Sequence, residues 1–300
     1  MGTTPECARR DADRGRIRGC LDHVKTEGEW WQTDLDCKLQ DFGLFVGGVM
    51  DVATRYMYTL RVLTFKGAYP VFEFVHKPAV EAFGGLPAVW STDKGSETWL
   101  LAYTIVASDA RRAAGTGARA RHRFVESKRN VRIERFWGFL NPRAMLPLKR
   151  VLLDMIRAQQ LDMCDRYHLG AVQAVGAVLL QHGVDIALRI WNQHPVLSLG
   201  GKRSLGSPNS MRANAPQLAG KVPMLDGTAA EYDLARGRRL ERWAPWQAAR
   251  DQLHGRPNDM ARRDAAVERA LGPLRDAWAD VLHNGGVKFR EAIAEFLRWS

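Results

Sequence analysis

The sequence predicts an α/β protein followed by an α-helical C-terminal extension. Three short runs rich in β-branched and aromatic residues follow one another in WQTDLDCKL, FGLFVGGVMDV and YMYTLRVLTF. A helix, a fourth strand and a second helix are then predicted between Ala68 and Ala107. Strands that alternate with helices are typical of a layered architecture in which helices cover a sheet, and not of a helical bundle.

The first three predicted strands are antiparallel, because the connections between them are too short for a crossover helix. The stretch AYPVFEFVHKPAVEAF carries apolar residues at helical spacing and ends at Gly84, which indicates a helix with a glycine stop. Pro78 lies inside that helix and predicts a kink or a late start. LPAVWST is the fourth predicted strand, and the second helix is predicted from Glu97 onwards.

Arginines are concentrated between residues 108 and 132, which predicts a basic loop with a short fifth strand at His122 to Val125. Further helices are predicted from Asn130 to Leu140, from Arg143 to Met163, and onwards to Ile190. The chain is thereby divided into four predicted regions: a polar tail (1–28), an α/β core with trailing helices (29–195), a linker rich in Gly, Ser, Asn and Pro (196–226), and a helical C-terminal region (227–300).

The net charge of +11 is the strongest feature of the composition. A basic surplus of this size favours polyanionic partners, chiefly nucleic acid, although a solvated basic surface would give the same value. No run of the sequence is long and apolar enough to predict a membrane span, and the polar amino terminus is unlike a secretory signal. We therefore expect a soluble intracellular protein without a membrane partner.

Three acidic residues stand where a carboxylate could do chemistry. Asp34 lies within the first predicted strand, Asp93 ends the fourth, and Glu134 lies in the helix after the basic loop. A carboxylate in a half-buried strand is costly unless it is paired or binds a cation. Converging carboxylates can hold two Mg²⁺ ions roughly 4 Å apart, which activate an attacking oxygen and stabilise a leaving oxygen in phosphoryl transfer. The pattern alone does not distinguish these residues from surface charges.

The stretch from about Trp31 to Trp137 resembles the integrase core domain of retroviral integrases and related eukaryotic transposases. Five pieces of sequence carry the resemblance in the correct order: WQTDLDCKL and GGVMDVATRYMYTLRV for the first three strands, GGLPAVWSTDKGSE for the fourth strand and the acid after it, NVRIERFWGFL for the helix with the last acid, and WNQHP for a downstream element. Each piece is weak alone, and their common order makes the resemblance specific.

The resemblance implies a ribonuclease H-like fold, with a mixed five-stranded sheet flanked by helices. By position, it implies that Asp34, Asp93 and Glu134 are the catalytic carboxylates and the ligands of two Mg²⁺ or Mn²⁺ ions. The implied reaction is metal-dependent transesterification in DNA integration, in which the 3′ ends of transposon DNA are processed and then transferred to target DNA. A homo-oligomer and, through this function, a nuclear location are also implied.

Other acidic residues compete for these roles. Glu126, in FVES, is the rival of Glu134 for the third carboxylate, and the residues around Glu134 fit the family pattern better. Asp51 is interpreted as a structural turn residue or as a salt-bridge partner of Arg55. Asp36 is an additional acid where relatives have a neutral residue, and it either assists metal binding or points outward.

Basic residues crowd the approach to Glu134, and we expect them to contact DNA phosphates in a salt-dependent and largely sequence-independent manner. They are Arg119, Arg121, Arg123, Lys128, Arg129, Arg132 and Arg135. A solvated charge run is the alternative interpretation. Because the chain starts almost at the first predicted strand, we expect the amino-terminal zinc-binding module of integrases to be absent.

Three functions remain open at the level of sequence. The first is an active integrase or transposase. The second is a domesticated or degenerate transposon-derived protein that binds DNA without catalysis. The third keeps the fold and the metal ions but only hydrolyses DNA. Intact carboxylates favour the first function, and the missing zinc module favours the second.

Overall fold

A sheet of five strands organises the computed structural model of the protein. The structure describes residues 23–112, 117–126, 130–197, 204–236 and 256–299, with the backbone alone for 233–236. The strands are β1 (Trp30–Asp36), β2 (Phe45–Asp51), β3 (Met57–Leu63), β4 (Val89–Thr92) and β5 (Arg121–Phe124). Their order across the sheet is β3-β2-β1-β4-β5, which places β1 in the middle.

The sheet is mixed, as predicted. β1 pairs with β2 in the antiparallel direction, with Asp34 opposite Gly48, and β2 pairs with β3 in the same way. β4 is parallel to β1, with Trp31 opposite Trp90, and β5 is parallel to β4. The carboxyl ends of β1 and β4 therefore lie side by side at the same end of the two strands, and Asp93 follows β4 at this end.

Helices flank the sheet, and the predicted α/β class with a helical C-terminal region is confirmed. Helix α1 consists of Ala68–Val71 and Lys77–Phe83 with a π-helical turn at Phe72–His76 between them. The other helices are α2 (Trp99–Ala110), α3 (Val131–Leu140), α4 (Leu146–Arg157), α5 (Arg166–Gln193), α6 (Pro208–Asn214), α7 (Thr228–Arg236), α8 (Pro257–Leu271), α9 (Leu274–His283) and α10 (Val287–Leu297).

Helix α1 shows how local sequence signals determine its shape. It ends where the sequence predicts, because Gly84 adopts a left-handed backbone conformation (φ 81°) and donates its N–H to Val80 at 2.8 Å. The predicted irregularity at Pro78 takes the form of the π-helical turn that directly precedes the Lys77–Phe83 segment. Proline is tolerated there because it occupies the first turn of that segment, where its missing N–H is not needed.

The two faces of the sheet carry separate apolar clusters. Alternation along β1 sends Trp31 to the face covered by α1 and α2, where it packs with Phe83 and Trp90. The opposite face is covered by α3, α4 and α5, and its cluster includes Val46 and Met50 from β2. Because Asp34 is an odd number of residues from Trp31, it belongs to this second face.

Helix α5 is the longest element and packs against β3. It begins at Asp165, whose carboxylate accepts the N–H groups of Tyr167 and His168. By length and composition it could cross a membrane, which corrects the expectation that no run is sufficiently long and apolar. In the structure 56% of its most apolar window is buried inside the protein, as is usual for a core helix.

The C-terminal helices pack on this same central helix. Trp278 of α9 and Phe289 of α10 are 3% and 0% exposed and belong to the cluster that contains α5. The segment between residues 204 and 226 also contacts the core, through bridges that pair Leu86 with Val222 and Glu27 with Gln217. The apolar cluster on the α3 face extends from the sheet to α10, whereas Leu86 and Val222 belong to the cluster on the other face.

Candidate active site

Asp34 lies near the carboxyl end of the central strand, and both of its carboxylate oxygens accept hydrogen bonds. The backbone N–H of Leu35 donates to Oδ1 at 2.9 Å. The indole N–H of Trp137, on α3, donates to Oδ2 at 2.8 Å. The side chain is half-buried, so its orientation is fixed by one contact within β1 and one contact from the helix above it.

The amino-terminal part of α3 is held on β1 by two further hydrogen bonds. The side-chain amide of Asn130 donates to the carbonyl of Thr33 at 3.3 Å. The N–H of Ile133 donates to the side-chain oxygen of Gln32, also at 3.3 Å. Glu134 follows directly, in the first turn of α3, and is half-buried. The helix that carries the third predicted carboxylate is thereby placed against the strand that carries the first.

Asp93 reaches the same region from the neighbouring parallel strand. It follows β4 at once, is half-buried, and accepts the N–H of Gly95 on Oδ1 at 3.3 Å. Its carbonyl accepts hydrogen bonds from the hydroxyl groups of Thr92 and Thr98, at 3.0 and 3.3 Å. These contacts turn the chain at the end of β4, where the sequence places Asp93.

The three carboxylates interact electrostatically. The pKa of Asp34 is raised to about 6, chiefly by burial and to a smaller extent by the negative charges of Asp93 and Glu134, against the two hydrogen bonds that lower it. A negative charge raises the pKa of a carboxyl group in this way only when it lies close to that group. Asp34 therefore lies within the electrostatic range of two other acidic side chains.

The chemistry of this donor set suits a hard divalent cation. Mg²⁺ and Mn²⁺ are bound through oxygen ligands, chiefly carboxylates, and a cation would offset the repulsion between Asp34 and the other two acids. Across the described ranges, no three acidic, histidine or cysteine side chains are gathered closely enough to form a complete metal site. The residues present fit such an ion by type and by charge.

A basic residue that the sequence analysis did not identify pairs with Glu97, four residues after Asp93. Lys66, in the connection between β3 and α1, forms an ion pair of 3.0 Å with Glu97, whose side chain is 5% exposed. The charge of Asp93 also acts on Lys66. No sequence signal marks this lysine, because its proximity to the carboxylates depends on how β3 and β4 are arranged in the sheet.

The predicted DNA-contacting residues fall into three groups. Arg119, Arg121, Arg123 and Arg135 are exposed. Arg132 does not fit the expectation, because it is 8% exposed and its guanidinium donates to the carbonyl of Val52. The remaining two residues, Lys128 and Arg129, lie outside the described residues.

Arg121 and Arg123 are on the same face of the edge strand β5, because they are two residues apart. The guanidinium of Arg123 lies 5.4 Å from the ring centre of Trp30. Trp30 is four residues before Asp34 on β1 and points to the same side of the sheet. The two arginines therefore line the face on which the carboxylates lie.

The competing acids have other surroundings. The carboxylate of Asp51 is fully buried and accepts hydrogen bonds from Gly28 at 2.8 Å and from the N–H and hydroxyl of Thr54 at 2.7 and 2.8 Å. It closes the turn after β2, as interpreted from the sequence. Asp36 is 5% exposed and accepts the N–H of Lys38 at 2.8 Å. Glu126 is exposed, two residues after β5.

The family model for an integrase core domain matches residues 21–204, which is more than half of the chain and includes Asp34, Asp93 and Glu134. The chain belongs to the integrase core domain family. The mixed sheet with flanking helices agrees with the ribonuclease H-like fold of integrase cores, and the family indicates an integrase- or transposase-type function. No curated protein matches the chain.

Proposed function

We propose that the protein is a DDE integrase or transposase that carries out divalent-metal-dependent 3′-end processing and strand transfer of DNA. The observation that carries this proposal is the placement of three acidic residues on adjoining elements. Asp34 is on β1, Asp93 directly follows the parallel strand β4, and Glu134 is in the first turn of α3, which is hydrogen-bonded to β1. Carboxylates at adjoining element ends are what a two-metal phosphoryl-transfer site requires. The family membership supports the same reaction class.

In this proposal Asp34, Asp93 and Glu134 hold Mg²⁺ or Mn²⁺. When bound, a pair of such ions activates the attacking oxygen and stabilises the leaving oxygen. The protein orients the three carboxylates. Backbone and side-chain hydrogen bonds join β1, β4 and α3, and these bonds set the backbone positions from which the acidic side chains extend. The substrates are transposon ends and target DNA. A homo-oligomer that brings two ends together and a nuclear location belong to the same proposal.

Exposed arginines on the carboxylate face supply the DNA contacts in this proposal. Arg121 and Arg123 on β5 and Arg135 on α3 are exposed near the site. Guanidinium groups bind phosphate oxygens through paired hydrogen bonds, so these side chains can position a DNA backbone without reading its sequence.

The proposal is tested by Mg²⁺- or Mn²⁺-dependent nicking of plasmid DNA and by joining of labelled duplex ends to that plasmid. Asp93→Asn and Glu134→Gln should each lower both activities by more than about 100-fold, because loss of a ligand should exceed the 10- to 100-fold effect of losing an outer partner. Glu126→Gln is the matched control and should retain activity, since Glu126 is exposed beyond β5.

The other outcomes assign other functions. Nicking without joining, lost in the same variants, would indicate a nuclease that only hydrolyses DNA. Salt-sensitive DNA binding without any metal-dependent activity in the wild type would indicate a transposon-derived binding protein without catalysis. Loss of activity in Glu126→Gln and its retention in Glu134→Gln would assign the third carboxylate to Glu126.

A further inference from the structure

A tryptophan one helical turn beyond Glu134 is the direct neighbour of Asp34. The indole N–H of Trp137 donates to Asp34 Oδ2 at 2.8 Å, and the N–H of Leu35 donates to Oδ1 at 2.9 Å. An ionised carboxylate has two lone pairs on each oxygen. With one donor on each oxygen, the plane of the Asp34 carboxylate is fixed while a lone pair on each oxygen stays available.

The position of this N–H is determined by packing. The side chain of Trp137 is 7% exposed and meets Phe136 edge to face, with ring centres 5.3 Å apart. It belongs to the large cluster on the α3 face of the sheet. A buried indole has few accessible rotamers, so its N–H cannot follow a carboxylate that moves away.

We propose that Trp137 is a positioning residue, which holds the Asp34 carboxylate in the orientation in which it receives a divalent metal ion. This inference rests on the proposed function, because it presumes that Asp34 is a metal ligand. Ligating carboxylates are themselves oriented by hydrogen-bond donors outside the coordination shell, and loss of such a donor weakens metal binding. Trp137 links the first carboxylate to the helix of the third, together with the hydrogen bonds of Asn130 and Ile133 that hold this helix on β1.

A purely structural role is the alternative. Buried indole N–H groups usually find an acceptor, and Asp34 would then only satisfy Trp137. The two roles differ in what they change. A purely structural bond affects only the stability of the fold, whereas a positioning bond also affects the affinity for metal.

The test is the affinity of the full chain for Mn²⁺ alone, without DNA, measured by the electron paramagnetic resonance signal of free Mn²⁺ during titration. Trp137→Phe keeps an aromatic ring and removes the donor, and it should weaken Mn²⁺ binding by about 10- to 100-fold. Trp191→Phe is the matched control, because its indole donates to the carbonyl of Arg55 at 2.9 Å and its ring lies 5.0 Å from Phe136. Its affinity should equal that of the wild type.

Asp34→Asn separates this inference from the proposed function. Mn²⁺ binding that is lost in Asp34→Asn and unchanged in Trp137→Phe would overturn the positioning role and leave the proposed function standing. Absence of Mn²⁺ binding in the wild type would overturn both. Equal weakening in Trp137→Phe and Trp191→Phe would also overturn the positioning role, since it would reflect a general loosening of the aromatic cluster.

Thermal unfolding of each variant in the presence of chelator reports whether the fold is intact. If Trp137→Phe does not fold, benzothienylalanine at position 137 replaces the indole N–H by sulfur and preserves the shape of the ring. The same loss of Mn²⁺ affinity is then expected, and wild-type affinity would overturn the positioning role.

Discussion

At the scale of single residues, His76 is placed in an apolar environment that does not accept a charge. It is fully buried in the π-helical turn of α1, and its ring lies edge to face with Trp90 at 5.4 Å. Among the described residues, neither ring nitrogen has a hydrogen-bond partner. Burial, with a smaller contribution from the charge of His122, lowers the pKa of His76 to about 3.

This pKa predicts sensitivity to acid. In the unfolded chain the imidazole takes up a proton near its usual pKa of about 6.5, whereas the folded protein resists protonation until far lower pH. The contribution of neutral His76 to stability is therefore complete above the pKa of the unfolded chain, about 6.5. It is lost progressively as the pH falls from there towards the pKa of the folded protein, about 3. Between pH 7 and pH 4.5, His76 should account for a loss of roughly 2–3 kcal/mol in the free energy of unfolding.

The substitution His76→Phe should remove this loss, because a phenyl ring does not titrate. Denaturant unfolding at pH 7 and at pH 4.5 measures the free energy of unfolding of the wild type and of His76→Phe, and thus the loss between the two pH values in each protein. His283→Phe is the control, since His283 is exposed on α9. An unchanged pH dependence in His76→Phe would show that the acid sensitivity arises at another group, such as His122, whose pKa is also lowered by burial, to about 4.

The candidate site could be predicted from the sequence in part. Asp34, Asp93 and Glu134 were identified by resemblance to integrases, because strand and helix periodicity does not distinguish a ligand from a surface acid. The hydrogen bond from Trp137 to Asp34 and the proximity of Lys66 to Asp93 depend on pairs of residues far apart in the chain. No local pattern encodes such distances, and the sequence analysis therefore identified neither contact.

At the scale of elements, one glycine determines how the C-terminal helices approach α5. A Cβ atom at Gly183 would lie 2.3 Å from Cζ2 of Trp278, on α9. Trp278 is 3% exposed and cannot withdraw from this contact without leaving the apolar cluster. The absence of a side chain at Gly183 thus allows the indole to lie directly on the α5 backbone.

The prediction is that Gly183→Ala destabilises the protein by about 1–3 kcal/mol, the range for overpacking a core. Gly138→Ala is a matched control in α3, because a Cβ at exposed Gly138 meets no atom within 4 Å. This second change should stabilise the protein by about 0.5–1 kcal/mol through the helix propensity of alanine. Denaturant unfolding measures both, and a neutral Gly183→Ala would mean that α9 does not pack on α5 as described.

Most elements of the sheet and of its flanking helices follow from local signals. Runs rich in β-branched and aromatic residues predicted β1 to β4, and helical spacing with a Gly84 stop predicted α1. The packing of α9 on α5 could not be predicted from local signals, because a glycine within a helical pattern indicates only a low helix propensity. Its function as a contact surface becomes visible only with the partner Trp278 in place.

At the scale of the whole molecule, the net charge of +11 is distributed so that part of it lines the carboxylate face. Arg121 and Arg123 are exposed on the edge strand β5, and Arg123 lies over Trp30 on that face. Arg61 is equally exposed on β3, at the opposite edge of the sheet. If DNA lies across the carboxylates, the first two arginines contact phosphates and the third does not.

The dependence of DNA affinity on salt distinguishes these positions. Each phosphate contact contributes about 0.9 to the slope of log affinity against log salt concentration, because binding releases condensed counterions. The double variant Arg121→Gln/Arg123→Gln should therefore reduce the slope for duplex DNA by about 2 and weaken binding at low salt. Arg61→Gln should leave the slope unchanged, which fluorescence anisotropy at several salt concentrations can measure. If Arg61→Gln reduced the slope by as much per residue as the double variant does, DNA affinity would depend on the overall charge of the protein and not on the carboxylate face.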